Sequence, residues 1–309
     1  MAGVAKTDGV QQLRCTAARL ASGSPTTLAF FGSSITAGHR GSRAADRGSY
    51  TDHVRPMLEA RFPNANVSVV RHGYPGASAM LMAACVERML PTRADAYVVE
   101  TVDNLLPESA HWEARDAVVS IIMALRARDP HAAVLLLTPF PQSCVVLLRK
   151  RLREGGDTLS AAHECLKPTH SLAGMLEEIG RASRAPTVSV RQALAAPLLA
   201  HAAARNGSLG PWLDSFMADQ VHLEITIYLV SRRVLLMTAG TFSTGAPEPR
   251  GAADARAAGS RRCGRRGAGS RRRSVRLPAA ARARRAPPAL VVGLRRVCAG
   301  DERGVRIWR

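Results

Sequence analysis

The sequence predicts an α/β domain built as a three-layer α/β/α sandwich, with a flavodoxin-like five-stranded parallel sheet between two layers of helices. Short β-rich runs alternate with longer segments of helical period, a pattern typical of parallel strands joined by helices. The segments that could carry chemistry follow these short runs or precede the last helix. This placement fits a sheet whose ligand site lies beyond the carboxyl ends of its strands.

Each element is assigned from its local pattern. Strands are predicted at residues 27–31, 67–71, 96–100, 133–138 and 187–190. Helices are predicted at residues 50–61, 79–89, 113–128, 171–184, 190–205 and 224–237. The last of these helices has an apolar stripe that consists of Ile225, Tyr228, Leu229, Val234 and Leu235.

The positive charge of the chain is concentrated at one end. The 309 residues carry a formal net charge of +19. Residues 241–309 hold 18 Arg, no Lys and 4 acidic residues, whereas the preceding 240 residues hold 25 basic and 20 acidic side chains. Arg, Ala, Gly, Ser and Pro dominate the last segment, a composition typical of disorder. We therefore expect an N-terminal extension at 1–23, one α/β domain at 24–240 and an Arg-rich low-complexity tail at 241–309.

The composition also bears on partners and location. The tail could bind nucleic acid or an anionic surface, but it has almost no aromatic residue before Trp308, and single-stranded nucleic acid is normally bound by aromatic stacking. We interpret the tail as solvated and do not expect a nucleic-acid partner. No apolar run approaches the roughly 18 residues that cross a bilayer, and no signal peptide is evident. The compartment and the oligomeric state stay open.

The sequence contains no familiar cofactor or metal motif. Gly73-Tyr74-Pro75-Gly76 is neither a Walker loop nor a Gly-x-Gly-x-x-Gly motif, and Pro75 removes an amide that a phosphate cradle would use. His-Glu-x-x-His, clustered carboxylates and cysteine pairs with zinc-ligand spacing are likewise missing. We therefore expect neither a cofactor nor a metal.

The first predicted strand runs into a turn that suits a nucleophile. Gly32-Ser33-Ser34-Ile35-Thr36 follows the apolar run 28–31 directly. A serine hydroxyl is a poor nucleophile at neutral pH, so it needs a histidine base, a carboxylate that orients the base, and donors for the developing oxyanion. Thr36 stands where the Gly-x-Ser-x-Gly elbow of α/β-hydrolases has its second glycine, which disfavours that family.

Three later segments complete a pattern with this turn. His72-Gly73-Tyr74-Pro75-Gly76-Ala77-Ser78 follows the second strand, Glu100-Thr101-Val102-Asp103-Asn104 follows the third, and Asp219-Gln220-Val221-His222 precedes the last helix. Together the four segments resemble the ordered sequence blocks of the SGNH, or GDSL-type, esterases and lipases, over about 200 residues. The resemblance implies the SGNH hydrolase version of the predicted fold and a carboxylic ester hydrolase that needs no cofactor.

The resemblance implies a role for five residues. Ser34 matches the nucleophile, and its backbone N–H matches one oxyanion donor. Gly76 matches the glycine that gives a second backbone donor, and Asn104 matches the asparagine whose side-chain amide gives a third. Asp219 and His222 match the closing Asp-x-x-His, in which the histidine takes the serine proton and the aspartate fixes the imidazole tautomer. The implied substrates are small-molecule or carbohydrate esters, with short acyl or O-acetyl groups favoured because no amphipathic lid segment is evident.

Four positions depart from the family pattern, and one of them is Leu223, which replaces the proline that commonly follows the histidine. Ser33 replaces the aspartate that usually precedes the nucleophile and helps to hold the turn, while Val102 and Leu105 replace a glycine and an aspartate on either side of the Asp103-Asn104 pair. These departures leave a second hypothesis open, a catalytically weak or inactive SGNH-like binding protein. The matched residues also have plain structural interpretations: a helix cap for Ser34, a turn glycine for Gly76, a loop residue for Asn104 and a helix N-terminal charge for Asp219.

Overall fold

Five parallel strands form the sheet that the sequence predicts. The computed structural model describes residues 10–38, 49–100, 111–167, 172–204 and 208–216. The strands are β1 Thr26–Gly32, β2 Val67–Gly73, β3 Ala96–Glu100, β4 Ala133–Thr138 and β5 Thr187–Ser189. They are ordered β2-β1-β3-β4-β5, and their pairings are parallel. In a sheet of this order the chain reverses its winding between β1 and β3, so a ligand crevice is expected beyond their carboxyl ends.

Helices on both faces complete the three-layer α/β/α sandwich. Within the described residues they are α1 Val10–Ala21, α2 Ser34–Ala37, α3 Tyr50–Arg61, α4 Ala79–Ala84, α5 Val86–Met89, α6 His111–Arg128, α7 Gln142–Arg153, α8 Thr158–Leu166, α9 Leu172–Ala182, α10 Val190–Ala193, α11 Ala195–Ala203 and α12 Leu209–Phe216. One core cluster joins the sheet to α3, α7, α8 and α11, and a second joins the opposite face to α4, α6 and α9. No helix among the described residues is long and apolar enough to cross a membrane.

Side chains of the central strands alternate between these two cores. In β1, Leu28 and Phe30 enter the α3 side, whereas Ala29 and Phe31 enter the α6 side. Burial of one such large apolar side chain contributes about 1.5–3 kcal/mol. In β3, Ala96 and Val98 lie on the α3 side, so the period of two places Glu100 on that side as well.

Several predicted boundaries differ from those observed. Strands β3 and β4 and helix α3 have the predicted bounds, but the helix predicted at 79–89 is broken at Cys85, where φ is −113° and ψ is 14°. Strand β5 ends at Ser189 because the hydroxyl of Ser189 accepts from the N–H of Gln192 and caps α10. A second break at Leu194 separates α10 from α11. The helix predicted at 224–237 lies outside the described residues.

Four longer helices are absent from the sequence-based assignment: α1, α7, α8 and α12. Helix α1 lies within the predicted N-terminal extension, and its Leu20 is buried in the core. Asp95, just before β3, binds helix α1 at two points. The backbone oxygen of Asp95 accepts from the Thr16 hydroxyl at 3.2 Å, and its carboxylate lies 3.3 Å from the Arg19 guanidinium. The same carboxylate accepts from the N–H of Thr27 in β1 at 2.8 Å. Residues 241–309 lie outside the described residues.

Candidate functional site

Ser34 is the first residue of α2, at the carboxyl end of β1. Its neighbour Ser33 occupies the N-cap position, which overturns the interpretation of Ser34 as a helix cap. Ser33 makes no side-chain capping bond, although serine is favoured at that position because its hydroxyl can accept from the first turn. The hydroxyl of Ser33 has a different partner.

That partner is Glu100, the last residue of β3, whose side chain is fully buried. The Ser33 hydroxyl lies 3.1 and 3.0 Å from the two carboxylate oxygens of Glu100, and the Ser33 N–H donates to Oε2 at 2.9 Å. The Thr36 hydroxyl, on the other side of Ser34, donates to the same oxygen at 3.1 Å. The buried carboxylate is therefore hydrogen-bonded on both sides of the candidate nucleophile, as a buried charge requires.

Gly32 leaves room for this carboxylate. A Cβ at Gly32 would overlap the Thr36 hydroxyl and would lie 2.6 Å from Oε2 and 2.8 Å from the backbone oxygen of Glu100. Gly32 and Glu100 directly follow Phe31 and Val99, the last paired residues of β1 and β3. Glycine is required here because two adjacent strands and a side chain meet within the space of one methyl group.

Tyr50, at the start of α3, extends the network away from Ser34. Its hydroxyl lies 3.1 Å from that of Thr36, so Thr36 can accept from Tyr50 while it donates to Glu100. Burial, and secondly the negative charge of Glu100, raise the pKa of Tyr50 well above its usual range, which keeps the phenol neutral. The Ser49 hydroxyl donates to the backbone oxygen of Thr36 at 3.1 Å, so α3 supports the turn at a second point.

The turn after β2 lies beside the turn after β1. Gly73 pairs with Gly32, and the N–H of Tyr74 donates to the Gly32 oxygen at 2.8 Å. A Cβ at Gly73 would overlap the backbone of Ala37, so this glycine allows α2 to pack directly on β2. The two turns therefore leave the same edge of the sheet in contact.

Gly76 has the backbone conformation of a tight turn. Its φ is +78°, and the N–H of Ala77 donates to the oxygen of Tyr74 at 3.0 Å, so Tyr74-Pro75-Gly76-Ala77 has the signature of a type II turn. Among the described residues, a Cβ at Gly76 would meet no atom within 4 Å. Gly32 is thus enclosed, whereas the space at Gly76 is open.

The structure brings together two of the five predicted site residues. Ser34 and Gly76 lie in the two adjacent turns. Asn104, Asp219 and His222 lie outside the described residues, as do Val102 and Leu105. The roles assigned to all five residues stay predictions.

Glu100 is the residue whose importance sequence reasoning missed. It entered the sequence argument only as the end of the third predicted strand and the first residue of the third block, which ends at Asn104. One signal in the sequence could have indicated this role: a carboxylate directly follows the apolar run 96–99. Acidic residues are rarely fully buried unless they are paired or hydrogen-bonded, so a carboxylate at this position suggests a specific partner. Its connection to Ser33 depends on the strand order and could not be read from one sequence.

The nearby His72 has a structural partner. Its Nε2 lies 2.9 Å from the Thr92 hydroxyl, and burial, followed by the charge of Arg128, lowers its pKa. Within the described residues no group of three or more His, Cys, Asp and Glu side chains could hold a metal ion.

The comparisons with known proteins give a likeness in fold. No protein-family model and no curated protein matches the chain. Two crystal structures of a two-domain esterase (CEX) active on acetylated mannans match with TM-scores of 0.58 and 0.56, at 18% and 19% identity. The matches cover 80% of this chain and 57% and 58% of that protein, so the chain spans less than three fifths of its length. Axe2, an acetylxylan esterase from Geobacillus stearothermophilus, matches with a TM-score of 0.48 at 17% identity, over 70% of this chain and 94% of Axe2.

Proposed function

We propose that the chain is an SGNH-type serine hydrolase that cleaves carboxylic esters through an acyl-enzyme on Ser34. The observation that carries the proposal is the position of Ser34. It lies at the carboxyl end of β1, where the sheet order predicts a ligand crevice, and its two flanks are hydrogen-bonded to a buried carboxylate.

The proposed reaction assigns one task to each matched residue. Ser34 Oγ attacks the ester carbonyl carbon while His222 takes the hydroxyl proton, and Asp219 holds the imidazole in the required tautomer. His222 then gives this proton to the leaving alcohol. Water, activated by the same imidazole, hydrolyses the acyl-enzyme and releases the carboxylic acid.

The oxyanion of each tetrahedral intermediate needs fixed donors. We assign this task to the backbone N–H groups of Ser34 and Gly76 and to the side-chain amide of Asn104. Loss of one preorganised donor typically lowers kcat by about 10²–10³. The open space beside Gly76 is compatible with a substrate oxygen approaching that backbone.

The proposed substrates are short acyl esters, with O-acetyl groups on carbohydrate first among them. The sequence has no evident lid segment for long acyl chains, and the fold neighbours with TM-scores above 0.5 include an esterase active on acetylated mannans.

A fluorophosphonate label tests the nucleophile, and an ester panel tests the substrate. We expect the label on the peptide that contains Ser34, and hydrolysis of acetyl esters and acetylated mannan in preference to long-chain esters. Ser34→Ala should abolish both labelling and hydrolysis with an unchanged circular dichroism spectrum, because it deletes one hydroxyl.

Ser33→Ala is the matched control, since it removes the neighbouring hydroxyl but keeps the N–H that donates to Glu100. It should lower hydrolysis far less than Ser34→Ala does. Equal losses in the two variants, or a label on a different serine, would show that the nucleophile is misassigned.

A further inference from the structure

The described hydrogen bonds of Glu100 converge on one short segment. Its carboxylate accepts from the N–H and the hydroxyl of Ser33 and from the hydroxyl of Thr36, at 2.9–3.1 Å. Ser34 lies between these two residues. A group that fixes both flanks of a residue also fixes its backbone, and with it the direction of the side chain and of the N–H.

The surrounding residues are shaped for this carboxylate. Gly32 leaves the space that Oε2 occupies, and the Ser33 hydroxyl is turned away from the capping role that its position offers. Tyr50 stays neutral and lies within hydrogen-bond distance of Thr36, which leaves the Thr36 hydroxyl directed at Glu100. These four residues thus surround the Glu100 carboxylate, bond to it, or direct a donor at it.

Position 33 is one of the positions at which the sequence departs from the family pattern, because an uncharged serine replaces an aspartate. We propose that Glu100 is the positioning residue of the nucleophile turn, and that it supplies from strand β3 the carboxylate that position 33 lacks. The inference rests on the proposed function of Ser34. It assigns Glu100 no contact with substrate, so Glu100 should act on kcat through the orientation of Ser34.

Glu100→Gln is the first test. The amide keeps the size of the side chain but carries no charge, so the bonds that Oε2 accepts from the Ser33 N–H, the Ser33 hydroxyl and the Thr36 hydroxyl are weakened. Its NH2 group also takes the place of Oε1 beside the Ser33 hydroxyl. We expect kcat on an acetyl ester to fall about 10- to 100-fold with KM within about twofold of the parent, the pattern of a displaced reacting group. The rate of fluorophosphonate labelling should fall by the same factor.

Asp129→Asn is the matched control, because Asp129 is a partly buried carboxylate that bonds the β3 residue Tyr97 near the opposite end of the strand. It should leave kcat unchanged. A kcat for Glu100→Gln equal to that of the parent overturns the inference, and so does an equal loss of kcat in both variants.

Moving the carboxylate is the sharper test. Ser33→Asp alone places a second carboxylate against Glu100, and two like charges in a buried site oppose each other. In the double variant Ser33→Asp/Glu100→Gln, one carboxylate remains, aspartate is favoured at an N-cap, and the amide introduced at position 100 can donate to it. We expect kcat of the double variant to exceed that of both single variants and to return to within about fivefold of the parent. A folded double variant with kcat no higher than that of Glu100→Gln overturns the inference.

Two further measurements cover the ways in which these variants could fail. If Glu100→Gln does not fold, Thr36→Val is the alternative, because it removes one donor to the carboxylate at nearly constant volume. In this variant kcat should fall several-fold with KM unchanged, and an unchanged kcat contradicts the inference.

If the parent hydrolyses no ester, the proposed function fails separately. The amide-proton chemical shift of Ser33 then decides: it should move upfield in a folded Glu100→Gln variant, in which this bond is weakened, and an unchanged shift overturns the inference.

Discussion

Strand β3 has a polar network near each end, and the two are built differently. Near its amino end, Tyr97 donates to the carboxylate of Asp129 and accepts from Arg128 at 3.0 Å, and Arg93 and Arg128 lie 3.7 and 3.4 Å from the same carboxylate. At its carboxyl end, the described donors to Glu100 are backbone N–H and hydroxyl groups. Asp129 is 14% exposed, whereas Glu100 is fully buried.

The difference follows from what each end has to hold. The ion pairs of Asp129 are partly buried and join the end of helix α6 to the sheet, away from the turn that bears Ser34. Hydroxyl and amide donors are directional, and in a buried site they hold one arrangement. We therefore expect changes near the amino end to alter stability alone, and changes at the carboxyl end to alter the rate of the proposed reaction.

Of the variants considered below, Asp219→Asn in the proposed triad should have the largest effect on rate. The amide favours the wrong imidazole tautomer, so kcat should fall about 10⁴-fold at neutral pH. In the parent, His222 must be neutral to accept a proton, and Asp219 stabilises the imidazolium, so kcat/KM should rise with pH through roughly 6 to 7.5. Flat activity from about pH 5 to 9, or an undiminished Asp219→Asn enzyme, would contradict the proposed triad.

Gly32→Ala should affect both rate and stability. The added Cβ competes with the Thr36 hydroxyl and the Glu100 carboxylate for one space, and overpacking of this kind costs about 1–3 kcal/mol. We expect a lower denaturant midpoint together with a fall in kcat of about 10²-fold, because the turn that bears Ser34 must shift. The control is Gly210→Ala in α12, where an added Cβ meets only Leu152 at 3.9 Å and the stability should not fall. Normal stability and rate in Gly32→Ala would show that the turn tolerates a displaced carboxylate.

Gly76→Ala separates backbone strain from the role in the proposed oxyanion hole. Gly155→Ala is the control. Both glycines have a positive φ, +78° at Gly76 and +64° at Gly155, and a Cβ at either position meets no described atom within 4 Å. Each substitution should cost about 1–2 kcal/mol for the left-handed conformation. Only Gly76→Ala should lower kcat/KM, by about 10- to 100-fold, since its methyl group crowds the expected position of the substrate oxygen. Equal rates in the two variants would reduce Gly76 to a turn glycine.

Tyr50→Phe should reveal the buried phenol through its pH dependence. The pKa of Tyr50 is raised in the folded state, so above about pH 10 the unfolded chain loses its proton first and the free energy of unfolding falls as pH rises. The variant should show a shallower fall, measured by urea denaturation between about pH 9 and 11. Parallel curves for parent and variant would mean that Tyr50 ionises freely in the folded protein.

Asp129→Asn should have the smallest effect on rate. It should cost about 1–2 kcal/mol, because Arg93 and Arg128 lose a charged partner and Tyr97 keeps only a neutral acceptor. Its kcat/KM on an acetyl ester should match that of the parent at a temperature where both are folded. A loss of kcat in Asp129→Asn would contradict the expectation that only the carboxyl end of β3 affects the rate.

The sequence predicts the sheet well because its central strands are short apolar runs between polar segments. The runs that became β3 and β4 have the predicted bounds, since every side chain in β4 is buried and four of the five in β3 are. Helix boundaries fared less well. The break at Cys85 has no Gly or Pro to signal it. Helix α7 was not predicted, although its buried positions Cys144, Val145 and Leu148 have helical spacing.

The residues of the candidate site also differ in how well the sequence indicates them. Ser34 and Gly76 could be found because each lies in a short motif directly after a strand. Glu100 could not, because 66 residues separate it from Ser34 and only the pairing of β1 with β3 brings it to Ser33. A local motif can indicate a reactive residue from the sequence alone. The residues that hold a reactive residue in position are often distant in sequence, so they are identified from the packing of the fold.

The contact between the turns after β1 and β2 has a consequence for hydrogen exchange. The amide protons of Ser33 and Tyr74 are bonded to Glu100 and Gly32, and α2 packs on Gly73 without an intervening side chain. We therefore expect the two turns to open together, so the two amides should exchange with deuterium at similar rates, as parts of one cooperative unit. The turn that bears Ser34 should then open with the free energy of a strand pair instead of that of a surface loop.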